Sequence, residues 1–260
     1  MSLVSRVAAV LAFLGALALS APASAQAYGN FLEVRGERLA DINTLLQNYR
    51  TMVYGGQAGR WRTGVRVFLI GDSVESYRGQ VRSLLGEFET LTGVSFSIVE
   101  DESLANLRIY FSARAWFNSQ AARAFDDAQR VLCFTNTRTQ NGTIQQAFVV
   151  IPEDLQPRAA RACLAHEMMH AIGFGGHPPQ SFDSALRNGV AADRLTTNDR
   201  IIIRARYDDR LRNAANGTEA MGIATQVLGD MLGRVLEAAG DTLNALAFDS
   251  DPVSKDFDGA

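Results

Sequence analysis

The chain has 260 residues, 47% of them hydrophobic, and 25 basic against 28 acidic residues give a net charge of −3. That length and apolar share suffice to bury one domain-sized core with appendages. So mild a balance, without a basic cluster, excludes the electrostatic footprint of a nucleic-acid partner or of an anionic lipid surface.

The first predicted element is a leader. Residues 1–27, MSLVSRVAAVLAFLGALALSAPASAQA, combine one basic residue (Arg6), an apolar run from Val7 to Leu19 and the small triplet Ala23-Ser24-Ala25. This is the layout of a secretory signal peptide, 1–25, cleaved after Ala25. The run is shorter than the roughly 20 residues a spanning helix needs, and no later stretch reads as transmembrane. A mature chain of about 235 residues, secreted or periplasmic and without a membrane span, is the expectation. Losing Arg6 leaves 24 basic against 28 acidic residues, about −4.

Residues 26–59 read as an N-terminal helical segment, with Leu39, Ile42, Leu45, Leu46 and Tyr49 at helical spacing before the loop glycines Gly55, Gly56 and Gly59. The main domain is expected over 60–222. It opens with VRVFLI (65–70), a β-branched apolar run that suits a buried strand. Asp72 and Ser73 then signal a helix over 74–91 that Gly93 stops. VSFSIV (94–99) and LRIYFS (107–112) read as two further strands, and this β-α-β-β order predicts an α/β or α+β domain with a mixed sheet. A short helix is expected over 116–129. VLCF (131–134) and IQQAFVVI (144–151) flank Asn141-Gly142, a hairpin-turn dipeptide.

Pro157 sits where a helix can begin, and residues 158–172 continue with good helix formers. Another helix is expected over 197–207, capped by Thr197 or Asn198. The C-terminal helix, 223–245 in the domain division, carries the stripe Ile223, Val227, Met231, Leu232 and Val235, which suits a core-covering face. A polar, acidic tail, 246–260, ends the chain and is expected to be disordered.

The two cysteines, Cys133 and Cys163, fit an oxidising compartment, where an even pair is most simply a disulfide. Cys163 also precedes His166 by three positions on one helical face, so a metal-ligand role for it stays open.

All three histidines lie within HEMMHAIGFGGH, residues 166–177. Four positions along a helix advance the chain by about 6 Å and just over one turn, so His166 and His170 face the same way and can share one ion. Glu167 is then placed to reach a water on that ion rather than the ion itself, which is the division of labour in H-E-x-x-H. In an unbroken helix His177 would lie about 10.5 Å further along the axis, too far to join. Gly173, Gly175 and Gly176 can end the helix and turn the chain back, and Pro178 and Pro179 discourage more helix beyond. One three-histidine metal site follows.

The same stretch resembles the zinc signature of metzincin-type metallopeptidases, H-E-x-x-H-x-x-G-x-x-H, through His166, Glu167, His170 and Gly173. That pattern would put its third histidine at position 176, where this chain has Gly176. His177 comes one residue later, a difference of at most about 3.6 Å in reach, with Asp183 as a substitute ligand. The methionine such enzymes carry in a turn beneath the metal is absent: Ser184-Ala185-Leu186 falls roughly there. Residues 60–222 are also similar to a set of secreted bacterial proteins grouped as domain-of-unknown-function family 2927, through CLAHEMMHAIGF (163–174) and LTTNDRIIIRARYDDRL (195–211).

The resemblance implies an α+β fold of zincin type: a mixed β-sheet, an active-site helix carrying H-E-x-x-H, and additional C-terminal helices. It implies a secreted peptidase acting on a protein or peptide substrate, with Zn²⁺ on His166, His170 and His177 and with Glu167 as the base that activates water. Substrate would lie extended along a sheet edge, for which residues 144–151 are the candidate. The alternative is a zinc-binding module that holds peptides without cleaving them. Tyr207 resembles a tyrosine that ends the corresponding helix in matrix-type enzymes, and packing at that helix end is its expected role rather than contact with an oxyanion.

Overall fold

Alternation decides the centre of the molecule. In a computed structural model, which describes residues 31–34, 37–55, 59–189, 192–211, 217–238 and 241–248, the expected runs become strands β3 (Val65–Ile70) and β5 (Leu107–Ser112). They pair in parallel, Val67 opposite Leu107 and Ile70 opposite Tyr110. The leader, 1–25, and the tail from residue 249 lie outside the described residues; Leu246, expected in the tail, is fully buried.

The five-stranded sheet is completed by β4 (Phe96–Ile98), β6 (Phe134–Gln140) and β7 (Thr143–Pro152), in the order β4-β3-β5-β7-β6. All neighbours are parallel except β6 and β7, which form an antiparallel hairpin. Asn141 and Gly142 turn that hairpin with φ of 50° and 70°, the left-handed pair that a two-residue loop requires. A separate two-stranded hairpin, β1 (Phe31–Val34) and β2 (Glu37–Ala40), precedes the domain.

Helices cover both faces of the sheet. On β7, Ile144, Ala147, Val149 and Ile151 join the main core, whereas Phe148 and Val150 point the other way to Phe117 and Ala121 of α3 (Arg114–Ala124), as a period of two demands. On the main-core face lie α2 (Val74–Thr92), α4 (Pro157–Ala171) and α5 (Thr197–Arg206), backed by α1 (Ile42–Tyr54), α6 (Gly217–Glu237) and α7 (Thr242–Ala245). The result is a mixed α+β arrangement with a mostly parallel sheet.

Five sequence expectations need correction. Residues 31–40 form a hairpin instead of extending the first helix. That helix starts at Ile42 because the Asp41 carboxylate accepts the Thr44 amide at 2.8 Å, and Leu39 is buried from a strand. The helix over 114–124 starts two residues earlier than expected and stops well short of 129, because Phe125 turns extended. Residues 131–133 precede the strand, which begins at Phe134.

The cap of α5 is Thr196, not Thr197 or Asn198, and it forms a reciprocal capping box with Asp199. Lastly, residues 144–151 are not an edge. They belong to β7, flanked by β5 and β6, and the open edge on this side is β6. Burial explains the exchange: β7 is buried almost continuously from Ala147 to Pro152, whereas β6 alternates polar, half-exposed residues and bulges between Arg138 and Thr139, as an edge strand can.

Candidate metal centre

Helix α4 delivers the first two histidines. Pro157 opens it at a position where its missing N–H costs nothing, and the helix ends in a Schellman turn. The Gly173 amide donates to the His170 carbonyl at 2.9 Å and the Phe174 amide to the Met169 carbonyl at 3.3 Å. Gly173 has φ of 109°, and a Cβ there would stand 1.9 Å from the Gly59 carbonyl oxygen. Glycine is required at this turn on both counts.

The chain then folds back over the helix end. The Gly175 and Gly176 amides both donate to the Met52 carbonyl of α1, at 2.9 and 3.1 Å. His177 therefore comes round to face His166 and His170. The three Nε2 atoms form a nearly equilateral triangle with sides of 3.1, 3.2 and 3.2 Å. Tetrahedral geometry with metal–nitrogen bonds near 2.0–2.1 Å calls for about 3.3–3.4 Å between ligand nitrogens, so the triangle has the dimensions of one face of such a site.

Protonation sharpens the point. His166 Nδ1 lies 2.9 Å from the Ala185 carbonyl oxygen and His170 Nδ1 lies 2.6 Å from that of Phe174. A carbonyl only accepts, so both Nδ1 atoms carry hydrogen. Burial depresses His170 to about 3 and, with the neighbouring His177, His166 to about 4; burial lowers His177 as well. Both helix imidazoles are thus neutral near pH 7, and their Nε2 lone pairs face each other at 3.2 Å with no proton between them. A shared cation would resolve that contact, and the donor set of neutral imidazoles is one that could hold a divalent transition metal.

Among the described residues this is the group able to hold a metal, and Asp183 is not part of it. The extra residue before His177 is absorbed by the Gly175-Gly176 loop, so no substitute ligand is required. Cys133 and Cys163 are joined in a disulfide, which removes the thiolate that a fourth protein ligand would have needed.

The histidines line a cleft of about 670 Å³ together with Glu167, both cysteines and the Phe134–Thr137 stretch of the edge strand β6. Glu167 is 4% exposed, and burial pushes its carboxyl up to about 8; the nearby Thr135 hydroxyl opposes that rise but donates its hydrogen to the Glu167 backbone carbonyl at 2.8 Å. Tyr207 lies elsewhere. Its hydroxyl donates to the Ile172 carbonyl at 2.7 Å and accepts the Trp61 amide at 3.2 Å, and burial raises it to about 12. The helix-end packing expected of it accounts for both bonds.

Sequence reasoning did not find the partners that aim the imidazoles, the carbonyls of Phe174 and Ala185, because a backbone carbonyl has no residue signature. Ser184, Ala185 and Leu186 are all fully buried beneath His166, and only the tertiary fold brings them there.

An α+β domain with a mostly parallel sheet, and a three-histidine cluster built from one helix and the loop that follows it, define the class of this protein. Its family follows from comparison: the chain belongs to the family described as Protein of unknown function (DUF2927), whose profile matches residues 42–226. No curated protein matches the chain.

Proposed function

We propose that the chain is a secreted zinc-dependent metallopeptidase of zincin type that hydrolyses peptide bonds. The observation that carries the proposal is the triangle of three Nε2 atoms, two of them held by carbonyls in the tautomer that leaves a lone pair facing inward. His166, His170 and His177 would hold Zn²⁺. Three protein ligands leave room for a fourth from solvent or substrate, the mark of a catalytic rather than a structural zinc.

Zinc bound there would supply Lewis acidity, activating water and polarising a carbonyl. Glu167 lines the same cleft and acts as the general base: it takes the proton from the attacking water and returns it to the leaving amine. A cation beside it favours the carboxylate form that this role needs. The edge strand β6 borders the cleft and offers backbone groups to an extended peptide by strand addition. The reading of the compartment rests on the leader at residues 1–25 and the disulfide; no helix among the described residues is long and apolar enough to cross a membrane.

The test is a peptide-library digest with the zinc-loaded protein beside Glu167→Gln. Cleavage that disappears in Glu167→Gln while zinc is retained is the expected result. Zinc binding without cleavage in either protein would favour a peptide-holding module instead.

A further inference from the structure

We infer that Asp199 is a positioning residue for His166, holding the Ala185 carbonyl that fixes the imidazole's tautomer and aims its Nε2 at the metal. The inference rests on the metal-binding reading of the three histidines. Asp199 stands in the first turn of α5 and is fully buried. A carboxylate in that position is costly unless its oxygens are occupied, and here four donors occupy them. Thr196 contributes two, its amide at 2.9 Å and its hydroxyl at 3.0 Å to Oδ2.

Both come from the helix's own N-cap residue: the amide bond is half of a capping box, completed by the Asp199 amide donating to Thr196 Oγ1 at 3.2 Å, a device any helix start could use. The other two reach across to a different segment. The Ser184 hydroxyl donates to Oδ1 at 2.5 Å and the Ala185 amide donates to Oδ2 at 2.9 Å. Ser184 Oγ in turn accepts the Leu186 amide at 3.0 Å. The turn is therefore held from one side through Ala185 N–H and presents Ala185 C=O to His166 Nδ1 on the other, at 2.9 Å. Outer partners of this kind orient a ligand imidazole and raise its basicity.

The experiment separates this role from helix capping. Zinc affinity is measured by chelator competition for the wild type, Asp199→Ala, Asp199→Asn, Ser184→Ala and Thr196→Ala. Asp199→Ala is expected to weaken zinc about 10- to 100-fold, while Thr196→Ala, which loses the helix cap but leaves the Ser184 and Ala185 bonds, stays within about threefold. Asp199→Asn recovers most of the affinity, because an amide oxygen can still face the Ala185 amide. Should Asp199→Ala not fold, Ser184→Ala carries the test, with a several-fold weakening expected.

Unchanged affinity in the folded variants, or equal weakening by Thr196→Ala, overturns the inference. A second readout needs no metal. With three histidines in the chain, ¹⁵N spectra of the apo-protein resolve the His166 ring. Wild type is expected in the Nδ1–H form, and Ser184→Ala as a mixture of tautomers; an identical spectrum overturns the inference even if the wild type proves to bind no zinc, the result that would defeat the metal reading itself.

Discussion

Gly176 lies back to back with Gly55: a Cβ on Gly176 would stand 2.1 Å from the Thr51 carbonyl oxygen and 3.0 Å from the Gly55 Cα. Both obstacles are backbone, so neither can rotate away. Gly176→Ala is expected to destabilise the fold by roughly 1–3 kcal/mol and, by shifting the adjacent His177, to weaken metal binding as well. Gly79 is the control, an exposed glycine of α2 where an added Cβ would meet nothing within 4 Å. Gly79→Ala should gain about 0.5–1 kcal/mol. Urea unfolding of both variants checks the pair; a Gly176→Ala protein as stable as wild type would contradict the contact.

Tyr207→Phe removes the hydroxyl that serves the Ile172 carbonyl and the Trp61 amide at once. Leaving two buried backbone groups without their partner should cost about 1–3 kcal/mol. Because Tyr207 is not among the residues lining the cleft, metal content per folded molecule should not change. Thermal unfolding together with metal analysis distinguishes this from a role at the reacting centre, which would instead alter turnover with little loss of stability.

Asp208 governs one part of the acid response. Burial alone would push its carboxyl up, but the Arg210 side chain, at 2.9 and 3.0 Å, and the Arg210 amide, at 3.0 Å, outweigh it and hold the group below its ordinary 3.8. A depressed carboxylate stabilises the fold above its unfolded value, and the contribution drains away as pH falls through the lower folded value. Asp208→Asn should therefore cost about 1.5–3 kcal/mol at pH 7, with the gap to wild type narrowing below about pH 4. Urea midpoints at pH 7 and pH 3 would expose the error if the gap stays constant.

The disulfide spans 30 residues of sequence, from Cys133 just before β6 to Cys163 one turn ahead of His166. Replacing both cysteines with serine should lower stability by about 2–4 kcal/mol. A thiol titration of the denatured, unreduced protein should find none free. Two titratable thiols would instead reopen a ligand role for Cys163.

Much of this was legible locally and the remainder was not. The strands at 65–70 and 107–112 and the helix after Pro157 appear where alternation and propensity put them. The spacing of His166 and His170 and the glycine break before His177 anticipated the cluster, because all its determinants lie within twelve residues. The hairpin at 31–40 escaped because Leu39 fits a helical spacing as readily as a strand. Thr196, Thr197 and Asn198 are all acceptable caps, and only the Asp199 partner three residues on from Thr196 singles one out. Which strand lies at the edge is a tertiary fact, although the polar TNTRTQ of β6 carried a hint of it.

The most direct test is the metal content and affinity of the purified protein, prepared without chelator and then offered zinc, beside His177→Ala. One zinc per chain, bound at least about 100-fold more weakly after the substitution, is the predicted result. A protein that takes up no zinc, or one whose affinity is untouched by His177→Ala, would contradict the three-histidine centre.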